Sequence, residues 1–189
     1  MFRQTSKINW QKLGRVFIFI DAANLESAVK DLGWWIDYLK LKSLFSSAEL
    51  VEIRDYCVAH NTLNQNNFFT FLKKNGFILI TKPLKIIKEE DIQKGDIRKA
   101  NFDVEIAVDS ILLQNDFDVL VLFSGDSDFH YLIKKLQEKN KKVIVISTKH
   151  HVSKELIETS DRFIDLKKIR KVIERKGEIT KSPSFATGG

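Results

Sequence analysis

Apolar positions along this chain follow two different patterns. Some form continuous runs bounded by polar residues, which is typical of strands buried on both faces, and others recur every three or four residues, which is typical of amphipathic helices. The continuous runs predict strands at 15–21, 50–59, 77–81, 84–87, 118–123, 142–147 and 162–166. The helical spacing predicts helices at 24–32, 37–45, 63–74, 102–114, 128–140, 152–159 and 167–176.

Residues at the ends of the predicted helices agree with this division. Asn24 and Asp37 are expected to cap the first two helices, because their side-chain oxygens can accept hydrogen bonds from free backbone amides. Gly33 and Gly76 follow predicted helices and are typical C-terminal stops. The polar stretch 88–99 is expected to form an exposed loop.

Strands that alternate with helices at this spacing predict one fold class. We expect an α/β fold, a three-layer α/β/α sandwich with a mainly parallel central sheet. The predicted organisation is an N-terminal extension over 1–13, a single domain over 14–166, a basic terminal helix over 167–176 and a disordered tail over 177–189.

The composition is that of a globular protein, and its charge narrows the choice of partners. The 189 residues include 31 Lys and Arg against 25 Asp and Glu, which gives a net charge of +6 and a pI near 9.3. Such a balance is compatible with a polyanionic partner, since cations that neutralise phosphates release counterions. Because Cys57 is the single cysteine and no apolar stretch approaches the ~20 residues that span a bilayer, we expect a cytoplasmic protein with no membrane association.

Acidic residues stand at the ends of the two most uniformly apolar strands. Asp21 ends the first strand, and Asp126 and Asp128 lie in the turn that follows the strand 118–123. Ligands of parallel sheets bind at the carboxyl ends of the strands, so we expect these acids to meet at one edge. Together with Asp103, which begins a predicted helix, they suggest a site for Mg²⁺ or Mn²⁺, whose preferred ligands are hard oxygens.

An acid that ends an apolar strand, such as Asp21, has few structural duties, but several of the other residues also have a structural interpretation. Asp128 and Asn24 could be helix caps, and Asp103 could interact with the dipole of its own helix. Asp109 lies on the same helix as Asp103 but points away from it at about 100° per residue, so a structural role and a supporting role are both open. Spacing alone therefore leaves the chemistry undecided.

Three segments, taken together and in order, resemble the NYN domain family, a branch of the PIN-like nucleases. They are Phe17-Ile18-Phe19-Ile20-Asp21-Ala22-Ala23-Asn24-Leu25, Lys99-Ala100-Asn101-Phe102-Asp103-Val104-Glu105-Ile106-Ala107-Val108-Asp109 and Leu122-Phe123-Ser124-Gly125-Asp126-Ser127-Asp128-Phe129. The resemblance covers roughly residues 14–166. It implies a PIN-like sheet and metal-dependent hydrolysis of RNA phosphodiester bonds.

The resemblance also implies roles for individual residues. By position, Asp21, Asp103, Asp126 and Asp128 match the catalytic acids that bind the metal, and Asn24 matches the residue that orients the first acid or a metal-bound water. The remaining matches are two supporting hydroxyls and a phosphate contact, namely Ser124, Ser127 and Lys99. Alanine at positions 22 and 100 replaces glycines that are frequent in the family, and this change could narrow the approach of a nucleic-acid backbone.

The segment before the acidic helix carries further candidate phosphate contacts. They are Lys82, Lys85, Lys88, Lys94, Arg98 and Lys99. Acidic residues alternate with these cations, so a solvated loop of mixed charge is the alternative. The expected partner is RNA, with single strands favoured, and a homodimer is expected by analogy with small PIN-like domains.

Three rival functions follow from the same residues. A phosphotransferase of the haloacid-dehalogenase type would also use an acid that ends the first strand, but it needs a second acid two residues later, where this chain has Ala23. A non-catalytic nucleic-acid-binding or regulatory module gains nothing from clustered negative charge. A nuclease directed at DNA stays open, since no residue in the sequence identifies a 2′-hydroxyl.

Overall fold

The computed structural model describes residues 9–83 and 101–176, together with the backbone of 85–87 and 97–99. The strands are β1 (Arg15–Asp21), β2 (Glu49–Ala59), β3 (Ile78–Pro83), β4 (Lys85–Ile87), β5 (Ile97–Lys99), β6 (Val119–Phe123), β7 (Lys142–Ser147) and β8 (Arg162–Asp165). The helices are α1 (Ala22–Leu32), α2 (Tyr38–Leu44), α3 (Leu63–Lys74), α4 (Asp103–Leu112), α5 (Phe129–Glu138), α6 (Lys154–Thr159) and α7 (Leu166–Ile173). None of the helices in these ranges is long and apolar enough to cross a bilayer.

Six strands form one parallel sheet in the order β3-β2-β1-β6-β7-β8. From β1 the chain extends the sheet on one side through β2 and β3, and later on the other side from β6 to β8. The direction of growth therefore reverses between β1 and β6. Open α/β sheets bind their ligands at such a switch point, outside the carboxyl ends of the strands.

Alternate residues of β1 face two separate hydrophobic cores. Ile18 and Ile20 pack on one side of the sheet with buried residues of α1, α2, α3 and α7. Phe17 and Phe19 pack on the other side with buried residues of α4, α5 and α6. Both faces of the sheet are covered, which explains why β6 and the interior of β1 are apolar at every position.

The structure confirms the predicted three-layer α/β fold. The strands predicted at 15–21 and 142–147 and the helix predicted at 63–74 have the bounds of β1, β7 and α3. Helix α7, which begins one residue before the predicted basic terminal helix and ends three residues before it does, packs against α2 and contributes Leu166 and Ile173 to the core. Residues 1–8 and the predicted tail from residue 177 onwards lie outside the described residues.

Two local predictions are wrong. The loop predicted over 88–99 ends in a strand, because β5 pairs with β4 as an antiparallel hairpin apart from the main sheet; residues 88–96 lie outside the described residues. Helix α1 begins at Ala22 rather than after Asn24, and its N-cap is Asp21, whose carboxylate accepts a hydrogen bond from the Asn24 amide. The carboxylate at the last residue of the strand thus caps the helix three residues earlier than the asparagine could.

Candidate metal centre

The candidate site lies where β1 and β6 end side by side. Ile20 and Phe123 are paired neighbours in the sheet, so the residues that follow them emerge at the same edge. From β1 comes Asp21, and from β6 comes the turn that contains Asp126 and Asp128. The topology thus brings together residues that are about a hundred positions apart, at the switch point of the sheet.

Three carboxylates converge at this edge. Asp103, Asp126 and Asp128 each offer one oxygen, and these oxygens all lie within 4.8 Å of one another. Asp128 is at the N-cap position of α5, but its side chain accepts no capping hydrogen bond, so the structural interpretation of this residue is not supported. Partial burial, with the charges of Asp126 and Asp128, raises the pKa of Asp103. A bound cation would relieve this repulsion.

Asp21 lies behind the three carboxylates and is buried. Its Oδ1 accepts a hydrogen bond from the Asn24 amide at 3.2 Å, and its Oδ2 accepts one from the Ser124 hydroxyl, also at 3.2 Å. Burial, helped by the charges of Asp103 and Asp126, raises the pKa of Asp21 to about 6 despite these two hydrogen bonds, which lower it. Asp21 is therefore electrostatically part of the acidic cluster.

Asn24 and Ser124 hold the turn that carries the acids. The Asn24 Oδ1 accepts a hydrogen bond from the Gly125 amide at 2.9 Å, which ties α1 to this turn. The Ser124 hydroxyl accepts a hydrogen bond from the Asp126 amide at 3.2 Å. Asp126 in turn accepts one from the Asp128 amide through Oδ1 at 3.0 Å. The two acids of the turn are thus positioned by hydrogen bonds that begin at Asp21 and Asn24.

Gly125 is required by a close approach of two backbones. A Cβ at this position would lie 2.0 Å from the carbonyl oxygen of His151 and 2.8 Å from the Cα of Val152. The Gly125 carbonyl also accepts a hydrogen bond from the Ser153 amide at 2.9 Å. The segment between β7 and α6 therefore supports the acidic turn from behind, and only glycine leaves room for it.

The comparisons with known proteins agree with this arrangement. Residues 15–180 match the model of the NYN domain. This chain belongs to the NYN domain family. NYN domains are part of the PIN-like nuclease superfamily, so the predicted family is confirmed.

Two relatives resemble this NYN domain over most of their length. Low amplitude and bright protein LabA of Synechococcus elongatus is 34% identical over 164 residues, which cover 85% of this chain and 88% of LabA. A crystal structure of a protein of unknown function from Vibrio parahaemolyticus superposes with a TM-score of 0.68 at 28% identity. That match covers 86% of this chain and 96% of the Vibrio protein. Neither name states a reaction.

The other predicted residues of the NYN domain occupy different places. Asp109 is outside the acidic cluster, where its Oδ2 accepts hydrogen bonds from Arg54 at 2.7 Å and from the Tyr56 hydroxyl at 2.9 Å. It therefore fastens α4, and with it Asp103, to β2. Ser127 is exposed in the turn, and its carbonyl accepts a hydrogen bond from the His130 amide at 2.9 Å.

Predicted phosphate contacts are described only in part. Lys94 and the side chains of Arg98 and Lys99 lie outside the described residues. Lys82 donates a hydrogen bond to the Asn101 carbonyl at 2.9 Å and forms an ion pair with Glu105 at 2.5 Å. The ammonium group of Lys82 therefore stabilises the start of α4.

One acidic residue near the site was not predicted. Asp55 lies on β2 beside Ile20 of β1, and 1% of its surface is exposed. Burial, together with the charge of Asp21, raises the pKa of Asp55 to about 7. The sequence did contain an indication of this residue. Alternate residues of a strand share one face, so Asp55 lies on the same face as the apolar residues Ile53 and Cys57, where a charged residue is unusual.

Proposed function

We propose that this NYN domain is a metal-dependent ribonuclease that hydrolyses RNA phosphodiester bonds. The observation that carries the proposal is the convergence of Asp103, Asp126 and Asp128 within 4.8 Å. Among the described residues, none of these three carboxylates forms a salt bridge with a lysine, arginine or histidine. Such a set of anions at the switch point of the sheet is suited to a hard divalent cation.

The donor set fits Mg²⁺ or Mn²⁺, and the chain supplies the rest of the site. Asp103, Asp126 and Asp128 would hold the ion, which supplies activation of water and neutralisation of charge on the phosphate. Asp21 adds a further buried carboxylate behind them. Asn24 and Ser124 keep the acidic turn in register with β1 through the hydrogen bonds to Gly125 and Asp126.

RNA is proposed as the substrate on the basis of family membership. The net charge of +6 is compatible with a polyanion, and the acids themselves would repel one unless a metal were bound. Single-stranded RNA and a homodimeric assembly are part of the proposal. The single free cysteine, Cys57, is the basis for proposing a reducing, cytoplasmic location.

The first experiment compares cleavage of end-labelled single-stranded RNA and matched DNA in Mn²⁺, Mg²⁺ or EDTA. The test variant is Asp126→Asn, and the matched control is Asp116→Asn, which changes an exposed aspartate far from the cluster in the turn after α4. We expect metal-dependent RNA cleavage by the wild type and by the control, with at least a hundredfold loss in Asp126→Asn, about the effect of a single misplaced catalytic group.

Circular dichroism establishes that the variants are folded. Cleavage of DNA with RNA left intact would reassign the substrate. RNA that is bound in a gel shift but never cut by the wild type, with any of the metals, would overturn the proposal in favour of a binding module.

A further inference from the structure

Three neighbouring strands leave the sheet at the same level beside the metal centre. Leu122 of β6 pairs with Val145 of β7, and Val145 pairs with Phe163 of β8. Four residues beyond these paired positions stand, in the same order, Asp126, Lys149 and Lys167. From β6 to β8, the carboxyl edge of the sheet therefore changes from negative to positive charge.

The loop after β7 contacts the acidic turn directly. The Ser153 amide donates a hydrogen bond to the Gly125 carbonyl at 2.9 Å, and Lys149 is exposed in the same loop, two residues before His151. Neighbouring strands of a sheet lie about 4.8 Å apart, so the end of β8 lies about 10 Å from the end of β6. This distance is about one Debye length in ~0.1 M salt, so one bound polyanion would interact with the acidic cluster and with these cations.

The lysines at this edge have no partner for their charge. Lys167 and Lys168 lie in the first turn of α7 and are exposed, as is Lys149. Lys171 follows one turn later on the same side of α7. Within residues 9–83 and 101–176, the ammonium groups of these four lysines form no ion pair, side-chain hydrogen bond or contact with an aromatic ring.

Acidic residues near these lysines are few and already engaged. Residues 148–152 contain no acid, and Asp165 is the single acid within 165–171. Asp165 is buried, and its carboxylate accepts a hydrogen bond from the Lys167 backbone amide at 3.0 Å as the N-cap of α7. Asp31 of α1 reaches the loop after β7, but its carboxylate contacts the His151 ring at 2.7 Å. The lysine charges of this edge are therefore available to an external anion.

We propose that this edge binds the backbone of single-stranded RNA, with Lys149, Lys167 and Lys168 as phosphate contacts; we call these three residues the edge lysines. Each ammonium group is a point charge that suits a phosphate, and each contact releases counterions from the nucleic acid. This inference rests on the proposed function, which assigns RNA as the substrate. It adds the direction in which the strand leaves the acidic cluster, across the end of β7 towards α7.

The test measures binding of labelled single-stranded RNA by fluorescence anisotropy over a range of salt concentrations, in EDTA so that no metal-dependent cleavage occurs. On logarithmic axes, the affinity for a single strand falls with salt with a slope of about −0.7 for each neutralised phosphate. Replacing the three edge lysines by glutamine should therefore reduce the magnitude of the slope by about 2 and weaken binding in ~0.1 M salt by about tenfold or more.

The matched control removes the same charge from the opposite edge of the sheet. It replaces Lys12, Lys139 and Lys142 by glutamine. These lysines are exposed and lie close to the amino ends of β1 and β7. The control variant should keep the slope of the wild type, because its charges are far from the proposed path of the RNA.

Three results would overturn the inference: a wild-type protein that binds no RNA, an edge variant with the slope of the wild type, and equal losses in the two triple variants, which would reflect net charge alone. If circular dichroism shows that the edge variant is unfolded, the single variants Lys149→Gln and Lys168→Gln should each reduce the magnitude of the slope by about 0.7, and an unchanged slope in both contradicts the inference. Binding that depends on the edge lysines, in a protein that cuts no RNA with any metal, would support this surface while the proposed nuclease activity fails.

Discussion

Replacing Gly125 by alanine should disrupt the acidic turn while leaving the rest of the fold in place. The added Cβ would lie 2.0 Å from the His151 carbonyl oxygen and 2.6 Å from its carbon, and both are backbone atoms that no side-chain rotation can move. Real Cβ contacts essentially never fall below 3.0 Å, so the two segments must separate by about 1 Å. The backbone at Gly125 does not have a positive φ, so the effect comes from the clash alone.

The expected magnitude follows from three contributions. Overpacking a tight contact costs about 1–3 kcal/mol. The separation also weakens the hydrogen bonds from the Gly125 amide to Asn24 and from the Ser153 amide to Gly125, at about 1 kcal/mol each. We therefore expect a loss of about 3–5 kcal/mol in the free energy of unfolding, measured by urea denaturation.

Metal binding should suffer more than stability. Metal–ligand distances hold to within about 0.2 Å, so a shift of about 1 Å in Asp126 should remove Mn²⁺ from the acidic cluster. Two controls separate the causes. Asn24→Ala removes the hydrogen bond to the Gly125 amide without creating a clash, and it should lower the free energy of unfolding by about 1–2 kcal/mol. Gly33 has a φ of 70° and open space around it, so Gly33→Ala should lower the free energy of unfolding by about 1 kcal/mol without changing Mn²⁺ binding. A Gly125→Ala variant as stable as Asn24→Ala, with Mn²⁺ binding intact, would refute the argument from the clash.

Two further predictions concern Asp21 and Asp109. Because burial raises the pKa of Asp21 to about 6, the folded protein without metal binds the proton of this carboxyl group more tightly than the unfolded chain does. Protonated Asp21 therefore adds about 3 kcal/mol to the free energy of unfolding below about pH 4. This contribution is lost as the pH rises through about 6. Urea denaturation in EDTA across this range should show that Asp21→Asn removes this part of the pH dependence, and a constant difference between the variant and the wild type would contradict it. Asp109→Ala removes the acceptor of the Arg54 and Tyr56 hydrogen bonds, so it should lower the free energy of unfolding by about 3 kcal/mol and weaken Mn²⁺ binding at Asp103. Tyr56→Phe removes one of these hydrogen bonds and should lower it by about 1 kcal/mol. Equal effects of the two variants would show that the Arg54 contact contributes nothing.

Local patterns predicted most of the elements because the information they use is local. The alternation of runs and helical spacing identified β1, β7 and α3 with their bounds, and Asp37 caps α2 as expected, through hydrogen bonds from the amides of Leu39 and Lys40. The N-cap of α1 was misplaced because Asp21, three residues before Asn24, already accepts a hydrogen bond from the Asn24 amide and so includes Asn24 in the first turn of the helix. Asp21 prevails because its strand delivers it directly to the start of the helix.

The roles of the candidate site residues depended on contacts between distant parts of the chain. The sequence could not tell whether Asp128 caps a helix or faces the cluster, and the structure decides this because the side chain makes no capping hydrogen bond. It also could not tell that Asp109 meets Arg54 and Tyr56, which lie on a strand more than fifty residues earlier. Asp55 was overlooked because its significance comes from its unpartnered oxygen, which only the packing around it reveals.

The sequence by itself determined the fold class and the family, and it named candidate metal ligands, because period, capping and motif spacing are properties of short segments. Only the tertiary structure decided which of these residues meet. The register of β1 beside β6 sets Asp21 against Ser124, and the approach of the segment around His151 makes Gly125 necessary. Such contacts depend on how strands and helices pack in three dimensions, and the pattern of apolar residues along the chain does not contain that information.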